Sequence, residues 1–206
     1  MAIYEHLESG KRFLFVHIPR TGGRFVEKNL ESYGWDWDKC LGLDKKYKFY
    51  NSVEQAHFHR EYYEKYYDVK DIPHICIVRN PIDRFISASI YLKKAYGDDI
   101  QELMEDEMHF DGMIHNLPLE GSYNWYRPQV DYISDKTHIW KLEDGLGEEF
   151  SSWISGIVGV DIRMDKSVKY YKFSYETNKL KKTDALIERV KLFYRKDFSA
   201  LNYEIP

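Results

Sequence analysis

The segment "FLFVHIPRTGGRFVEKNL" joins an apolar run to a helix-compatible pattern through Pro-Arg-Thr-Gly-Gly. In a strand-turn-helix unit, the backbone N–H groups of the turn and of the first helical turn lack intrahelical partners and can bind an anion. Gly22 and Gly23 allow a tight loop, Thr21 adds a hydroxyl donor, and Arg20 and Arg24 add charge. The segment predicts a phosphate or sulfate cradle, although a structural turn with surface arginines explains it equally well when it is read alone.

A second segment, "HICIVRNPIDRFISASIYL", repeats the arrangement. Arg79 follows a strand-like run, Pro81 lies in the turn, and Ser87 falls in the helical pattern beyond it. Neighbouring parallel strands deliver their following loops to the same carboxyl edge of a sheet, so the two segments together favour one anion site. The alternative is that Arg79 and Arg84 pair with nearby acids such as Asp83.

Hydrophobic periodicity predicts three strands, at about 13–18, 74–79 and 137–142, followed by turn residues and helical patterns. This alternation is typical of an α/β protein. No internal repeat, low-complexity tract or linker-like composition shift divides the chain. We therefore expect a single domain over residues 1–206 with a short, mostly parallel central sheet.

Four further segments have helical patterns, and a loop is predicted around 118–128. The predicted helices cover 85–99, the acidic stretch 99–117, 143–159 and 178–198. The last one has the spacing of an amphipathic covering helix with basic residues outside. Its apolar positions are Leu180, Leu186, Ile187, Val190 and Phe193.

The motif "FVHIPRTGG" resembles the 5'-phosphosulfate loop, usually HIPKTGG, of sulfotransferases that use 3'-phosphoadenosine 5'-phosphosulfate (PAPS), and "VRNPIDRFISA" resembles their 3'-phosphate motif. The similarity is to the carbohydrate branch, which includes the Golgi heparan and chondroitin sulfotransferases and small microbial relatives. It continues in "YRPQVDYI" at 126–133, "IWKLEDG" at 139–145 and "YRKDFSALNY" at 194–203, and so covers nearly the whole chain.

This resemblance implies a P-loop-like three-layer α/β fold, PAPS as the donor, adenosine 3',5'-bisphosphate (PAP) as the product, and no metal. It assigns the 5'-phosphosulfate to Arg20, Thr21, Gly22 and Gly23, and the 3'-phosphate to Arg79 and Ser87. Arg20 stands where the family has lysine, and it keeps the charge but does not give up a proton. Arg24 and Phe25 stand where the family often has small hydroxyl residues, so some side-chain contacts with the 5'-phosphate are expected to be missing or to be replaced by Arg24.

Sulfuryl transfer also needs a group that deprotonates the acceptor. The family's base comes from a glycine-histidine pair, and Ala56-His57 falls at that distance from Arg79, so the resemblance implies His57 as the base. His59 lies two residues on, where a helix would point its ring elsewhere. A zinc site built on His-x-His has no further ligand pattern to support it. The carboxylates that could orient a histidine or lie in solvent are Glu54, Glu61 and Glu64.

Composition limits the remaining classes. The 206 residues include 30 basic and 34 acidic ones, a formal net charge of −4, which offers no footprint for nucleic acid. The apolar runs are too short for a membrane span or a signal peptide, so we expect a soluble cytoplasmic protein. Cys40 and Cys76 could pair, but Cys76 fits a buried strand position better. Trp125, Tyr126 and Arg127 could contact adenine or the acceptor, or pack in a loop.

The expected enzyme transfers a sulfuryl group to a hydroxyl of a carbohydrate or another small acceptor, and the chain gives no indication of its oligomeric state. One alternative is a catalytically silent protein that binds PAP or a glycan, suggested by Arg20. Another is a small P-loop-like kinase. The kinase is disfavoured because the Gly-Lys-Ser/Thr ending of G-x-x-x-x-G-K-[ST] and an obvious magnesium-binding aspartate pairing are missing.

Overall fold

The structure is a computed structural model that describes residues 2–36, 49–50, 53–96, 125–168 and 182–206. Several sequence-based predictions lie outside these ranges. They are the acidic helix at 99–117, the loop up to residue 124, the start of the C-terminal helix and Cys40. No helix among the described residues is long and apolar enough to cross a membrane.

The described residues form the strands β1 Ala2–His6, β2 Arg12–Val16, β3 Trp35–Asp36, β4 Phe49–Tyr50, β5 Val53–Glu54, β6 His74–Val78 and β7 Thr137–Lys141. Five of them form the central sheet, in the order β3-β1-β2-β6-β7, and β4 pairs with β5 in a separate two-stranded sheet. Strands β2, β6 and β7 run parallel, while β1 is antiparallel to both of its neighbours. The three predicted strands and their parallel arrangement are confirmed, and the antiparallel edge formed by β1 and β3 is an addition.

The α-helices of the described residues are α1 Gly23–Ser32, α2 Arg60–Tyr66, α3 Pro81–Tyr96, α4 Glu148–Val158, α5 Asp184–Phe193 and α6 Arg195–Ala200. Of these, α1 follows β2, α3 follows β6 and α4 follows β7. The helix predicted from residue 143 begins only at Glu148. Residues Leu142–Asp144 form a short 3-10 turn, and Gly145, with a φ of 82°, ends it because this backbone conformation is not helical. The predicted C-terminal helix is divided at Tyr194 into α5 and α6.

Side chains alternate across the sheet and bury both of its faces. Leu14, Val16, Cys76 and Val78 pack in one cluster with Tyr63 of α2. Phe13, Phe15, Ile75 and Ile77 pack in the other with α1 and α4. Because helices cover both faces of a mostly parallel centre, the predicted three-layer α/β fold is confirmed. Burial raises the pKa of Cys76, which behaves as the small buried hydrophobe expected from its strand position.

A buried carboxylate connects the C-terminal helices to the loop after β6. Asp197 of α6 accepts hydrogen bonds from the backbone N–H groups of Gln129, at 2.8 Å, and Val130, at 3.1 Å. The Gln129 side chain in turn accepts from the Arg79 N–H at 2.9 Å and donates to the Arg79 carbonyl at 2.8 Å. The Gln129 side chain therefore fixes the main chain at Arg79 through hydrogen bonds to both its N–H and its carbonyl group.

Loss of this carboxylate should destabilise the fold. We expect Asp197→Ala to lower the free energy of unfolding by about 2–4 kcal/mol, because it leaves two N–H groups at Gln129 and Val130 without their acceptor. Asp161→Ala is the matched control, since Asp161 is exposed and pairs with exposed Arg163, and its effect should stay within about 0.5 kcal/mol. Urea unfolding measures both, and equal stabilities would contradict the role given to Asp197.

Candidate functional site

The loops after β2, β6 and β7 open onto one cavity of about 640 Å³ at the carboxyl edge of the sheet. This volume lies in the range of small-molecule sites. Every residue predicted for the site except Thr21 lines the cavity: Arg20, Gly22, Gly23, Arg24, Phe25, His57, Arg79 and Ser87. The other lining residues are His17, Trp125, Leu142, Leu146 and Lys166.

Thr21 lies behind the cavity wall. Its side chain is buried, and its hydroxyl donates to the carbonyl oxygen of Ile18 at 2.8 Å. A hydroxyl has one proton to donate. In this conformation Thr21 therefore stabilises the turn, and its hydroxyl proton is directed at the backbone.

The start of α1 has the features of an anion cradle. Gly22 lies just before the helix with a φ of 89°, in the left-handed region that favours glycine. No acidic residue occupies the first turn of α1, and Gly23 and Arg24 line the cavity, so the positive end of the helix dipole faces it without a competing carboxylate in that turn.

Arg20 bridges the first loop to α3. Its Nε donates to the Ser87 hydroxyl at 3.0 Å, and its guanidinium carbon lies 5.0 Å from the centre of the Tyr91 ring. The backbone at Arg20 has a φ of 70°, which costs a non-glycine residue about 1–2 kcal/mol. Such strain persists only where surrounding contacts hold the residue in place, and it is common at ligand-binding sites.

Arg79 follows β6 and faces the same space. Its Nη1 donates a hydrogen bond to the carbonyl oxygen of Arg20 at 3.4 Å. Burial lowers the pKa of Arg79, and the negative charges of Asp83 and Glu143 offset part of that effect. Asp83 itself forms an ion pair with Lys182 at 2.8 Å, while Glu143 accepts from the Asn80 N–H at 2.7 Å.

Arg84 is completely buried and binds main-chain carbonyl groups. It donates to the oxygens of Pro19, Trp125, Tyr126 and Arg127. The alternative in which Arg84 serves as the partner of Asp83 is therefore not what the structure shows. Its role is to connect the first loop to the segment that begins at Trp125.

His57 is held in one tautomer. Its Nδ1 lies 3.0 Å from the His17 carbonyl oxygen, and a carbonyl can only accept, so Nδ1 carries the proton. In the neutral ring the lone pair then resides on Nε2. Burial lowers the pKa of His57 well below its usual value, and the positive charges of His17 and Arg24 add to this. At neutral pH His57 is a neutral base.

His59 has a different environment. It lies at the residue before α2, is buried, and packs edge-on against Tyr62 with ring centres 4.8 Å apart. Burial, with the charge of Arg127, lowers its pKa to about 4. Of the two histidines, only His57 lines the cavity. No group of three or more potential metal ligands was found in the described part of the chain.

The charge of the cavity suits an anionic ligand. Among the described residues that line it, four are cations, Arg20, Arg24, Arg79 and Lys166, and none is an acid. Arg20 and Arg24 follow β2, Arg79 follows β6 and Lys166 follows α4, so the cavity can hold more than one anionic group.

Sequence reasoning missed several lining residues. His17 belongs to the first motif and could have been predicted as a lining residue, because the glycines of the same motif indicate close packing in that loop. Leu142, Leu146 and Lys166 follow β7 and α4, and their spacing carries no signal of a shared site. Trp125 was one of three candidates, and it is the one that lines the cavity.

Comparisons with known proteins add little. No protein-family model matches the chain, and no curated protein matches it. The crystal structure of a sulfotransferase from Alicyclobacillus acidocaldarius aligns with a TM-score of 0.49 and 14% sequence identity, over 92% of this chain and 93% of that one. A likeness of this degree says nothing about the ligand or the reaction.

Gly23 should not tolerate a side chain. An added Cβ would lie 2.3 Å from the His17 ring, so we expect Gly23→Ala to displace that ring and to destabilise the fold by about 1–3 kcal/mol. Gly156→Ala is the matched control in α4, where a Cβ meets nothing within 4 Å, and it should stabilise by about 0.5–1 kcal/mol. Denaturant titrations compare the two, and a neutral Gly23→Ala would contradict the packing described.

Proposed function

We propose that this protein is a sulfotransferase that moves a sulfuryl group from PAPS to a hydroxyl group of a carbohydrate or another small acceptor. One observation carries the proposal. Two loops after adjacent parallel strands bring Arg20, Arg79 and Ser87 to the same cavity as a buried, neutral His57. The first three suit a doubly phosphorylated nucleotide, and the fourth suits proton abstraction.

The donor would be held at both ends. Arg79 and Ser87 are assigned to the 3'-phosphate, and the N–H groups at the start of α1, with Arg20 and Arg24, to the 5'-phosphosulfate. The Arg79 main chain is fixed by Gln129, which supports a preorganised guanidinium. The donor supplies an activated sulfuryl group, and the residues of this chain position it and neutralise its charge.

His57 is assigned the role of general base. The acceptor hydroxyl gives its proton to Nε2 of His57 as its oxygen forms a bond to sulfur. The bond between sulfur and the bridging oxygen breaks, and its electron pair stays on the 5'-phosphate, which leaves as part of PAP. Arg20 and the helix N–H groups stabilise the charge that develops there. The products are the sulfate ester, PAP and a protonated His57, which returns its proton to solvent.

Aromatic rings beside His57 support a sugar-like acceptor. Trp125 stacks on Tyr91 with ring centres 4.4 Å apart and lies edge-on to His57 at 5.4 Å. Of this pair, Trp125 lines the cavity. A flat, amphipathic ring next to the base suits an acceptor that offers an apolar face and hydroxyl groups together.

A second candidate is a protein that binds PAP or a glycan without turnover. The observation in its favour is the position of Arg20, whose Nε donates to Ser87, a residue assigned to the 3'-phosphate. If this contact persists with ligand bound, less charge is available at the 5' end. A single-turnover assay with labelled donor and a panel of acceptors separates the candidates, because only an enzyme gives labelled product.

Nucleotide selectivity tests the donor assignment. We expect PAP to raise the melting temperature more than AMP or ATP does, because Arg79 and Ser87 recognise the 3'-phosphate that the other nucleotides lack. At 100 times its dissociation constant a ligand stabilises by about 2.7 kcal/mol. Thermal unfolding with each nucleotide measures the difference. Equal shifts with AMP and PAP would exclude PAP as the matching ligand.

Replacement of His57 should separate binding from chemistry. We expect His57→Ala to keep PAP affinity close to that of the parent while single-turnover sulfuryl transfer falls by about 100-fold or more. His59→Ala is the matched control, since His59 is also buried but lies outside the cavity, and its turnover should change little. Normal turnover in His57→Ala together with an inactive His59→Ala would show that His59, and not His57, is the base.

A further inference from the structure

A second histidine in the cavity has a carboxylate partner. His17 Nδ1 lies 2.8 Å from Oε1 of Glu27 on α1, and only 7% of the His17 side chain is exposed. A carboxylate accepts, so Nδ1 carries a proton. A histidine whose Nδ1–H is held by a buried acid is the usual arrangement of an imidazole that handles protons or charge at its other nitrogen.

The other nitrogen lies over the start of α1. A Cβ placed on Gly23 would fall 2.4 Å from Nε2 of His17, so the absence of a side chain at Gly23 is what leaves room for that atom. Gly23 is the first residue of α1, where the unpaired N–H groups of the helix collect. Nε2 of His17 therefore lies next to the anion cradle at the start of α1.

His17 also contacts the proposed base at two points. The two rings lie edge-to-face with centres 4.7 Å apart, and the His17 carbonyl accepts the Nδ1–H of His57 at 3.0 Å. Two positive imidazoles at this distance repel each other. Protonation of one imidazole therefore makes protonation of the other less favourable.

We propose that the His17–Glu27 pair is a second functional unit of this cavity, in which protonated His17 donates from Nε2–H to the anion held at the start of α1 and favours the neutral form of His57 before transfer. The anion part of this inference rests on the proposed function, with the 5' end of the nucleotide as the anion. The contact is a hydrogen bond, so His17 keeps its proton and the balance of the transfer step is unchanged.

The surrounding charges support this division of roles. The pKa of Glu27 is lowered: burial raises it, but the charge and hydrogen bond of His17 and the charge of Arg24 outweigh that, so Glu27 is a carboxylate at neutral pH. His57 lacks a carboxylate on Nδ1, where it has a neutral carbonyl instead. Among the described residues, Arg24 acts electrostatically on both Glu27 and His57, and Arg20, Arg79 and Lys166 line the same cavity. These groups are positive, and the carboxylate of Glu27 contacts His17 rather than His57.

Histidine NMR on the ligand-free protein tests the pair without any turnover. We expect the pKa of His57 to lie well below its usual value in the parent and to rise in His17→Gln, which removes the neighbouring charge. Glu27→Gln should act in the same direction, because it removes the partner of protonated His17, and it provides a second variant if His17→Gln fails to fold. His138→Gln, at an exposed position of β7, should leave His57 unchanged. An unshifted His57 in both variants would overturn the proposal.

Calorimetry with PAP tests the contact with the anion. We expect His17→Gln to weaken PAP affinity by about 10-fold or more, the scale of a hydrogen bond from a charged donor. Equal PAP affinities of the parent and His17→Gln would contradict the contact. If the parent itself fails to bind PAP, the proposed function is wrong, whereas the NMR result still decides on the His17–Glu27 pair.

Discussion

The site depends on holding several cations together in a cavity that contains no carboxylate among its described lining residues. Like charges at short range repel, and burial adds the cost of lost hydration. The protein offsets this with neutral acceptors: Arg84 binds four carbonyl groups, Arg79 faces the Arg20 carbonyl, and Arg20 uses Ser87 and the ring of Tyr91. These partners carry no formal charge, and the acids that act on Arg79, Asp83 and Glu143, are not among the lining residues, so positive potential remains in the cavity for a ligand.

The same contacts explain why distant parts of the chain share one architecture. Arg84 joins the loop after β2 to the segment beginning at Trp125, since it binds the carbonyls of both. Asp197 reaches Gln129 over 68 residues of sequence, and Gln129 reaches Arg79 over 50. These links fix the loop after β6 and the segment at Trp125, both of which supply lining residues of the cavity.

The sequence was informative where local chemistry dictates structure. Glycines and arginines directly after buried strands predicted both loops, and the parallel strands explain why Arg20, Arg79 and Ser87 meet. The start of α4 was misjudged because apolar periodicity does not report the positive φ of Gly145. The hydroxyl of Thr21 was expected to face a ligand, yet it donates to Ile18. The Asp197–Gln129 link could not be predicted, since its partners are close only in the folded chain.

Arg20 stands where the sulfotransferase motif that this loop resembles has lysine, and this difference connects these observations. A guanidinium stabilises charge but does not release a proton, so under the proposed function Arg20 attracts the 5' end of the donor without acting as an acid. Its contact with Ser87 also places its charge between the two loops rather than at the start of α1 alone. The group beside Gly23 that carries an N–H toward the cradle is instead His17, backed by Glu27. An arginine at position 20 is therefore compatible with chemistry at this site as long as an imidazole next to the helix supplies the hydrogen bond that an ammonium group would have made.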